Sequence, residues 1–313
     1  MYSLRSADSK LFPSNTMKKF LVTLFVLIAL VVVITPSVLQ YFAQSYLTTL
    51  QAQGQRLKVR DLQGHFIGLS ASSIEAWIPV PIEKGRRSIP VSLDLSDVDV
   101  RLGWTLPPRV RIHAKAYDGT IEIDAPILGS APTASFSLSS IDLSQHPQIR
   151  PAGLSSGRLS MSGSSVALSP NTRQSSTLSI NLRDVGVDTP PVVAQFAKIK
   201  TIRDGSLQAE IRTTEDGSVT VDPLSVTSSL GEARGRASGA LPSPGAPVSF
   251  NANIRFQLSE DEGAQLANWL PIVTNNAVDS SRRAFSMQVR SVPCSGPFSA
   301  RAGDLCVNQT FSN

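Results

Sequence analysis

The sequence predicts a mainly β protein: a single N-terminal transmembrane helix followed by a curved antiparallel β-sheet domain with two short helices. Three observations carry that expectation. Phe20 to Leu39, FLVTLFVLIALVVVITPSVL, holds twenty residues without a charge, which is about what a helix needs to cross a bilayer's hydrocarbon core. From Arg56 onward apolar and polar residues alternate with the period of two that marks half-buried strands. Turn-forming pairs such as Asp118-Gly119 and Asp216-Gly217 separate the alternating runs, as hairpins require.

The N-terminal helix comes first. No charge occurs between Lys19 and Arg56, and Pro36 lies near the far end of the run, where a kink costs least. Arg5, Lys10, Lys18 and Lys19 precede the run against Asp8 alone, while Gln40 to Gln55 is neutral. Basic residues collect on the cytoplasmic side, so the N-terminus is expected inside and the remainder exported. A cleaved signal peptide is the rival; its apolar core is shorter, about 7–15 residues, and ends in small residues. The match here, near Ser45, is poor, so the helix is expected to stay as an anchor. Met17-Lys18-Lys19 also reads as a compact start. The expected organisation is a cytoplasmic tail over 1–19, a span over 20–39, a juxtamembrane helix or linker over 40–55, a β-rich domain over 56–293 and a C-terminal tail over 294–313.

Gln40 to Gln53 is expected to continue the helix out of the membrane, with Tyr41, Phe42 and Tyr46 as an interfacial aromatic belt. Leu57, Val59, Phe66, Ile67 and Leu69 suggest short strands around Gly64. Ser73 to Val80 gives a strand with Ile74, Ala76 and Ile78 on one face. Pro79, Pro81, Gly85 and Pro90 are expected to bound a charged loop, IEKGRR. Val91, Leu93 and Leu95 then point one way, and the register shifts at Asp97 so that Val98, Val100 and Leu102 follow. Val110, Ile112, Ala114 and Ala116 lead into the Asp118-Gly119 turn, and Ile121, Ile123 and Ala125 return. Ala134 to Leu143, Arg158 to Leu168 and Thr177 to Val187 read as further strands. Thr189-Pro190 is the expected start of a helix carrying Val192, Val193, Phe196, Ile199 and Ile202, closed by Asp204-Gly205. Ser206 to Thr213 and Ser218 to Val226 form a second hairpin, Glu232 to Leu241 a weak strand, and Val248 to Leu258 the longest alternation. Ser259 and Glu262 spell a capping box for a helix through Ile272, with Leu266, Trp269 and Leu270 on its apolar face. Ala284 to Val292 is the last expected strand.

Two helices cannot cover a dozen amphipathic strands, so either the sheet curls on itself or its apolar face lines a groove. In the second case Val91, Leu93, Leu95, Val248, Phe250, Ile254 and Phe256 would line it. The other outcome, a closed core, is the usual fate of such residues.

Charged residues make up 17% of the chain, below the usual quarter. The net charge is +5, and the N-terminal flank supplies three of those charges, so the rest is nearly neutral. No basic stripe with interleaved aromatics is present to bind nucleic acid. Cys294 and Cys306 are candidates for a disulfide closing a small terminal loop, with free thiols as the alternative. Two cysteines alone make no zinc site, and His65, His113 and His146 lack ligand spacing. Gly153-Leu154-Ser155-Ser156-Gly157 matches G-x-S-x-G, yet that elbow needs a strand before it and a helix after it; a strand is expected to follow here. No catalytic residue, cofactor or metal ligand is nominated.

The run VSLDLSDVDVRLGWTLPPRVRIHAKAYDGTIEIDAPI and the later INLRDVGVDTPPVVAQFAKIKTIRDGSLQAEIRTTEDGSVTVDPLSV together resemble the protein N family of the type II secretion system. That family is itself similar to AsmA-like periplasmic domains. The resemblance covers residues 18 to 298 and rests on Asp-Gly turns and alternating strands. It implies a non-catalytic, single-pass inner-membrane component of a type II protein secretion system. Its periplasmic domain would meet other subunits, such as the inner-membrane platform or the secretin, through sheet edges and loops such as residues 82–88. The AsmA likeness implies a second class of activity, periplasmic lipid binding or transfer along a curved apolar sheet.

Overall fold

The computed structural model describes residues 35–49, 51–52, 56–83, 87–103, 105, 107–127, 133–167, 174–189, 194, 198–240, 249–274, 277–279, 281, 283–292 and 306–312, with the backbone alone at 78–83, 87–91, 152, 273, 292 and 306–308. Among these residues fifteen strands form one antiparallel sheet. They are β1 (Leu57–Arg60), β2 (Gln63–His65), β3 (Gly68–Glu83), β4 (Arg87–Gly103), β5 (Arg109–Ala116), β6 (Gly119–Pro126), β7 (Thr133–Asp142) and β8 (Leu154–Ala167). After them come β9 (Ser176–Asp188), β10 (Thr201–Thr213), β11 (Ser218–Ser228), β12 (Gly231–Ala240), β13 (Phe250–Leu258), β14 (Ala284–Val292) and β15 (Cys306–Ser312). From β3 to β15 every strand pairs with the next in sequence, and β1 and β2 both pair with β3. Neighbouring strands lie about 4.8 Å apart, so the ladder is roughly 60 Å wide. It is an open meander, with β1 and β15 at its ends.

Asp97 sits where the alternation changes phase. Its φ is 49°, and the β4–β5 register shifts between Ser96 and Asp99. Leu95 and Val98 both reach the same apolar cluster, because the extra residue of a bulge turns the side chains that follow it to the opposite face. Ser140, Ser165, Asp184 and Asp204 also have positive φ and lie at or beside shifts of register in the β7–β8 and β9–β10 ladders. Asp204-Gly205 therefore does not close a helix, as expected from the sequence. It lies inside β10, and Ile202 is already paired with Val187. Short polar residues tolerate the left-handed region, and in a strand that makes a bulge. The remainder of the expected helix, apart from residue 194, lies mostly outside the described residues.

The Asp118-Gly119 turn is displaced by one residue. Tyr117 and Asp118 occupy the central positions with φ of 46° and 61°, and Ala116 pairs with Gly119. Two consecutive left-handed residues match the twist of the flanking strands.

The expected proline-bounded loop is instead a two-stranded arm. Pro79 pairs with Pro90 and Pro81 with Ser88. β1 reaches only Ala76 and β5 only Ser96, so beyond those points neither β3 nor β4 has a further strand partner among the described residues. A proline survives where its nitrogen faces an unpaired edge. The base of the arm is tied down from the side. Tyr117 Oη lies 3.5 Å from the Ser92 carbonyl oxygen and 3.4 Å from the Asp94 nitrogen. His146, 8% exposed, accepts the Gln148 N–H at Nδ1 (3.2 Å) and so donates from Nε2 to the same Ser92 carbonyl (3.0 Å).

Residues 35–49 form helix α1, which lies along the β1 edge. Gln40 Nε2 donates to the Leu62 carbonyl (2.9 Å) and Gln51 Nε2 to that of Leu57 (2.7 Å). A side chain at Gly64 would overlap the Pro36 carbonyl. From Pro36 to Gln51 a helix rises about 22 Å, and the matching stretch of β3, from Leu69 to Ala76, spans about 23 Å. Thus α1 runs with β3 and in the same direction. Tyr41, Phe42 and Tyr46 are 65–69% exposed. Among the described residues no helix is long and apolar enough to cross a membrane; residues 20–34 of the expected span lie outside them.

The expected helix 259–272 is two pieces, α2 (Glu262–Ala267) and α3 (Leu270–Val273), with Pro271 at the start of the second. Ser259 Oγ accepts the Gly263 N–H (2.8 Å), while Glu262 turns away from the expected capping box to Arg203 (3.3 Å).

Candidate functional site

The ladder register brings the inward residues of successive strands into rows. One row runs Leu69, Val100, Ile112, Ile123, Phe136, Gly163, Leu178 and Ile211. It continues through Val221, Ala237, Ala252 and Val289. A second passes from Ile121 through Leu138, Met161, Ile180, Ala209, Leu224, Gly235 and Ile254 to Met287 and Phe311. A third joins Ile141, Leu159, Leu182, Leu207, Val226, Ala233, Phe256 and Phe285. Together they make one apolar face across the sheet.

Buried clusters occupy the two ends of this face. At one end Ala71, Val98 and Ala114 are buried beneath Val59, Leu62, Ile74, Leu95, Val100 and Ile121. At the other, α2 and α3 place Ala267 and Leu270 with Val278 on Phe285, Phe256 and Phe311, and the Phe256 and Phe285 rings stack at 4.8 Å. Between them the face lacks a covering layer among the described residues. Met161, Leu178, Ile180, Leu182, Leu207 and Leu224 are only half-buried. Val226 and Phe250 are each 37% exposed. Of the fully buried positions there, Ala134, Ala209 and Ala252 are small, so flanking strand and side-chain atoms suffice to hide them, and Ile141 on β7 is the large one. Six large aliphatic side chains left partly in contact with water on one face are unusual for a closed core.

Of the residues expected along a groove, Leu93, Leu95, Ile254 and Phe256 are half-buried and Phe250 is exposed. Leu95 and Phe256 belong to the end clusters. The backbone of Val91 pairs with Ile78, and Val248 lies outside the described residues. The central rows on β7 to β12 were missing from that expectation. Their alternation is visible in the sequence, but which phase shares a face across bulges is fixed only by register.

The opposite face is polar and self-paired. Glu75 takes Lys58 and Arg60, Asp97 takes Lys115 at 2.9 Å, and Asp124 takes Arg109 and Arg111. The Arg109 hydrogen bond, with Arg111 behind it, holds the Asp124 carboxyl below the usual range. Lys115 does the same to Asp97. Burial pushes the Tyr117 phenol up. Ser229 and then Arg203 hold Glu262 down. Exposed pairs of this kind contribute about 0–1 kcal/mol each, and none is arranged as nucleophile and base.

His65 hydrogen-bonds Ser70 (2.7 Å), His113 is exposed on β5, and His146 serves the arm; the three do not meet. No group of three or more His, Cys, Asp or Glu that could hold a metal occurs among the described residues. Gly153 caps a 3-10 turn with φ of 94°, and Ser155 lies in β8, so no elbow forms. Cys294 lies outside the described residues, and with it the expected pairing. Cys306 opens β15 opposite Val292, a strand where the sequence suggested only a tail. No family model, no curated protein and no solved structure matches the chain.

Proposed function

We propose that this chain is a membrane-anchored, non-catalytic protein whose open apolar face binds acyl chains, as a lipid-binding or lipid-transfer domain in the periplasm. The observation behind it is the partly exposed aliphatic field on β7 to β12. Such a field is costly in water and gains from covering. A lipid tail supplies a cover without hydrogen-bonding demands, and the sheet's own backbone groups are paired in its ladders. The uncharged run over 20–39 would hold the domain at the inner membrane, with the N-terminus cytoplasmic, within reach of lipid.

The test is a photo-crosslinking residue in place of Ile180 or Leu182 in the full chain, expressed in a diderm bacterium. Adducts with the mass of a lipid are expected. Adducts with protein alone would overturn the lipid reading.

The type II secretion reading is retained as the second. It is favoured by the projecting β3–β4 arm and by the outer edge of β15, both suited to strand addition by a partner subunit. Crosslinks from Gln309, exposed on β15, to another export subunit would support it. Recovery of no such subunit, with normal secretion in a deletion strain, would remove it.

A further inference from the structure

We infer that the sheet's first turns form a second, peripheral contact with the membrane, so that the domain stands on the bilayer instead of hanging from its anchor. The inference rests on the anchoring reading above and adds a site to it.

The contact between Pro36 and Gly64 fixes which end of the strands faces the bilayer. Residues 20–39 are the uncharged run, and α1 leaves it in the direction of β3. The β2–β3 turn therefore lies at the level where the chain emerges. Antiparallel order puts the β4–β5 and β6–β7 connections at the same end. Hydrogen bonds lace the three side by side: the Leu102 N–H donates to the Ile67 carbonyl (2.7 Å) and the Ile127 N–H to that of Pro108 (2.8 Å).

Among the described residues of this row, exposed apolar side chains stand beside the polar His65 and Thr105. Phe66 is 45% exposed and Ile127 48% exposed. Pro107 is exposed between them. At the opposite end of the same strands the Tyr117-Asp118 turn and the 143–152 segment carry polar side chains such as Ser144, Gln145 and Gln148, and the β3–β4 arm is described by its backbone. Exposed aromatic and aliphatic side chains on the anchor side fit insertion at the headgroup level, where buried apolar area drives binding. β3 and β6 are three ladder steps apart, so the row is about 14 Å long, a narrow foot beside the anchor.

The experiment uses the full chain in neutral phosphatidylcholine vesicles, with Cys294→Ser and Cys306→Ser as background. A single environment-sensitive fluorophore is attached through Phe66→Cys, Ile127→Cys, Asp118→Cys or Ala29→Cys, and far-UV circular dichroism checks the sheet. Lipids carrying a quencher near the headgroup are expected to quench positions 66 and 127 several-fold more than 118. Lipids with a deep quencher are expected to quench position 29. If 29 is quenched but 66 and 127 behave like 118, the foot is wrong and the anchor stands. If 29 is not quenched, the anchoring reading fails and the foot with it.

Discussion

Ile180→Asp separates an open apolar face from a closed core. Ile180 sits at the centre of β9 between Met161 and Ala209 and is half-buried. Full burial of an isoleucine is worth about 1.5–3 kcal/mol; most of that, roughly 1–2.5 kcal/mol, is lost with the side chain. Weaker strand preference adds up to about 1 kcal/mol. The open face thus predicts a loss of about 2 kcal/mol. A carboxylate in a closed core would cost more than about 4 kcal/mol or prevent folding. The pH dependence differs too. On an open face the new carboxyl keeps its ordinary range, and stability stays flat between pH 5 and 8. In a closed core burial would raise its folded pKa, so stability would fall as pH rises through that value. The assay is urea unfolding of the chain in nanodiscs, followed by far-UV circular dichroism at pH 5 and 8. A loss above about 4 kcal/mol, or a steep fall toward pH 8, would refute the open groove.

Other changes test the local structure. Gly163→Ala places a methyl against the Phe136 ring, which lies over that glycine; a loss of about 1–3 kcal/mol is expected in the same unfolding assay. His146→Ala removes a donor from the Ser92 carbonyl and should cost about 1 kcal/mol, with hydrogen exchange rising in β4 ahead of β3. Asp216, held by Thr214 and Ser218 in the β10–β11 turn, has its pKa lowered to about 2. Because the folded value is depressed, its contribution is present above pH 4 and fades as pH falls toward 2. NMR titration of the carboxyl checks the value, and Asp216→Ala should flatten stability in that window.

The strands themselves were legible in the chain, because alternation and turn residues are local signals. Every described strand except β15 begins or ends near an expected run, and the phase change at Asp97 appeared as a bulge. Three things were not legible. Pro79, Pro81 and Pro90 looked like loop boundaries, since a proline's tolerance depends on whether its nitrogen faces a neighbour, which only pairing decides. Asp204-Gly205 looked like a helix stop, since the same left-handed preference serves a bulge. β15 carried little sequence signal, and its place comes from the free edge of β14.

By itself, the sequence determined an uncharged helix-length run, an amphipathic β chain and the positions of most hairpins. It did so because side-chain polarity and backbone preference act within a few residues. Tertiary structure alone decided that the apolar phases of successive strands align across bulges into one face, that α2 and α3 cover one end of it, and that α1 lies along β1. Those facts depend on pairing between residues distant in the chain, where a shift of one position would send every side chain to the other side.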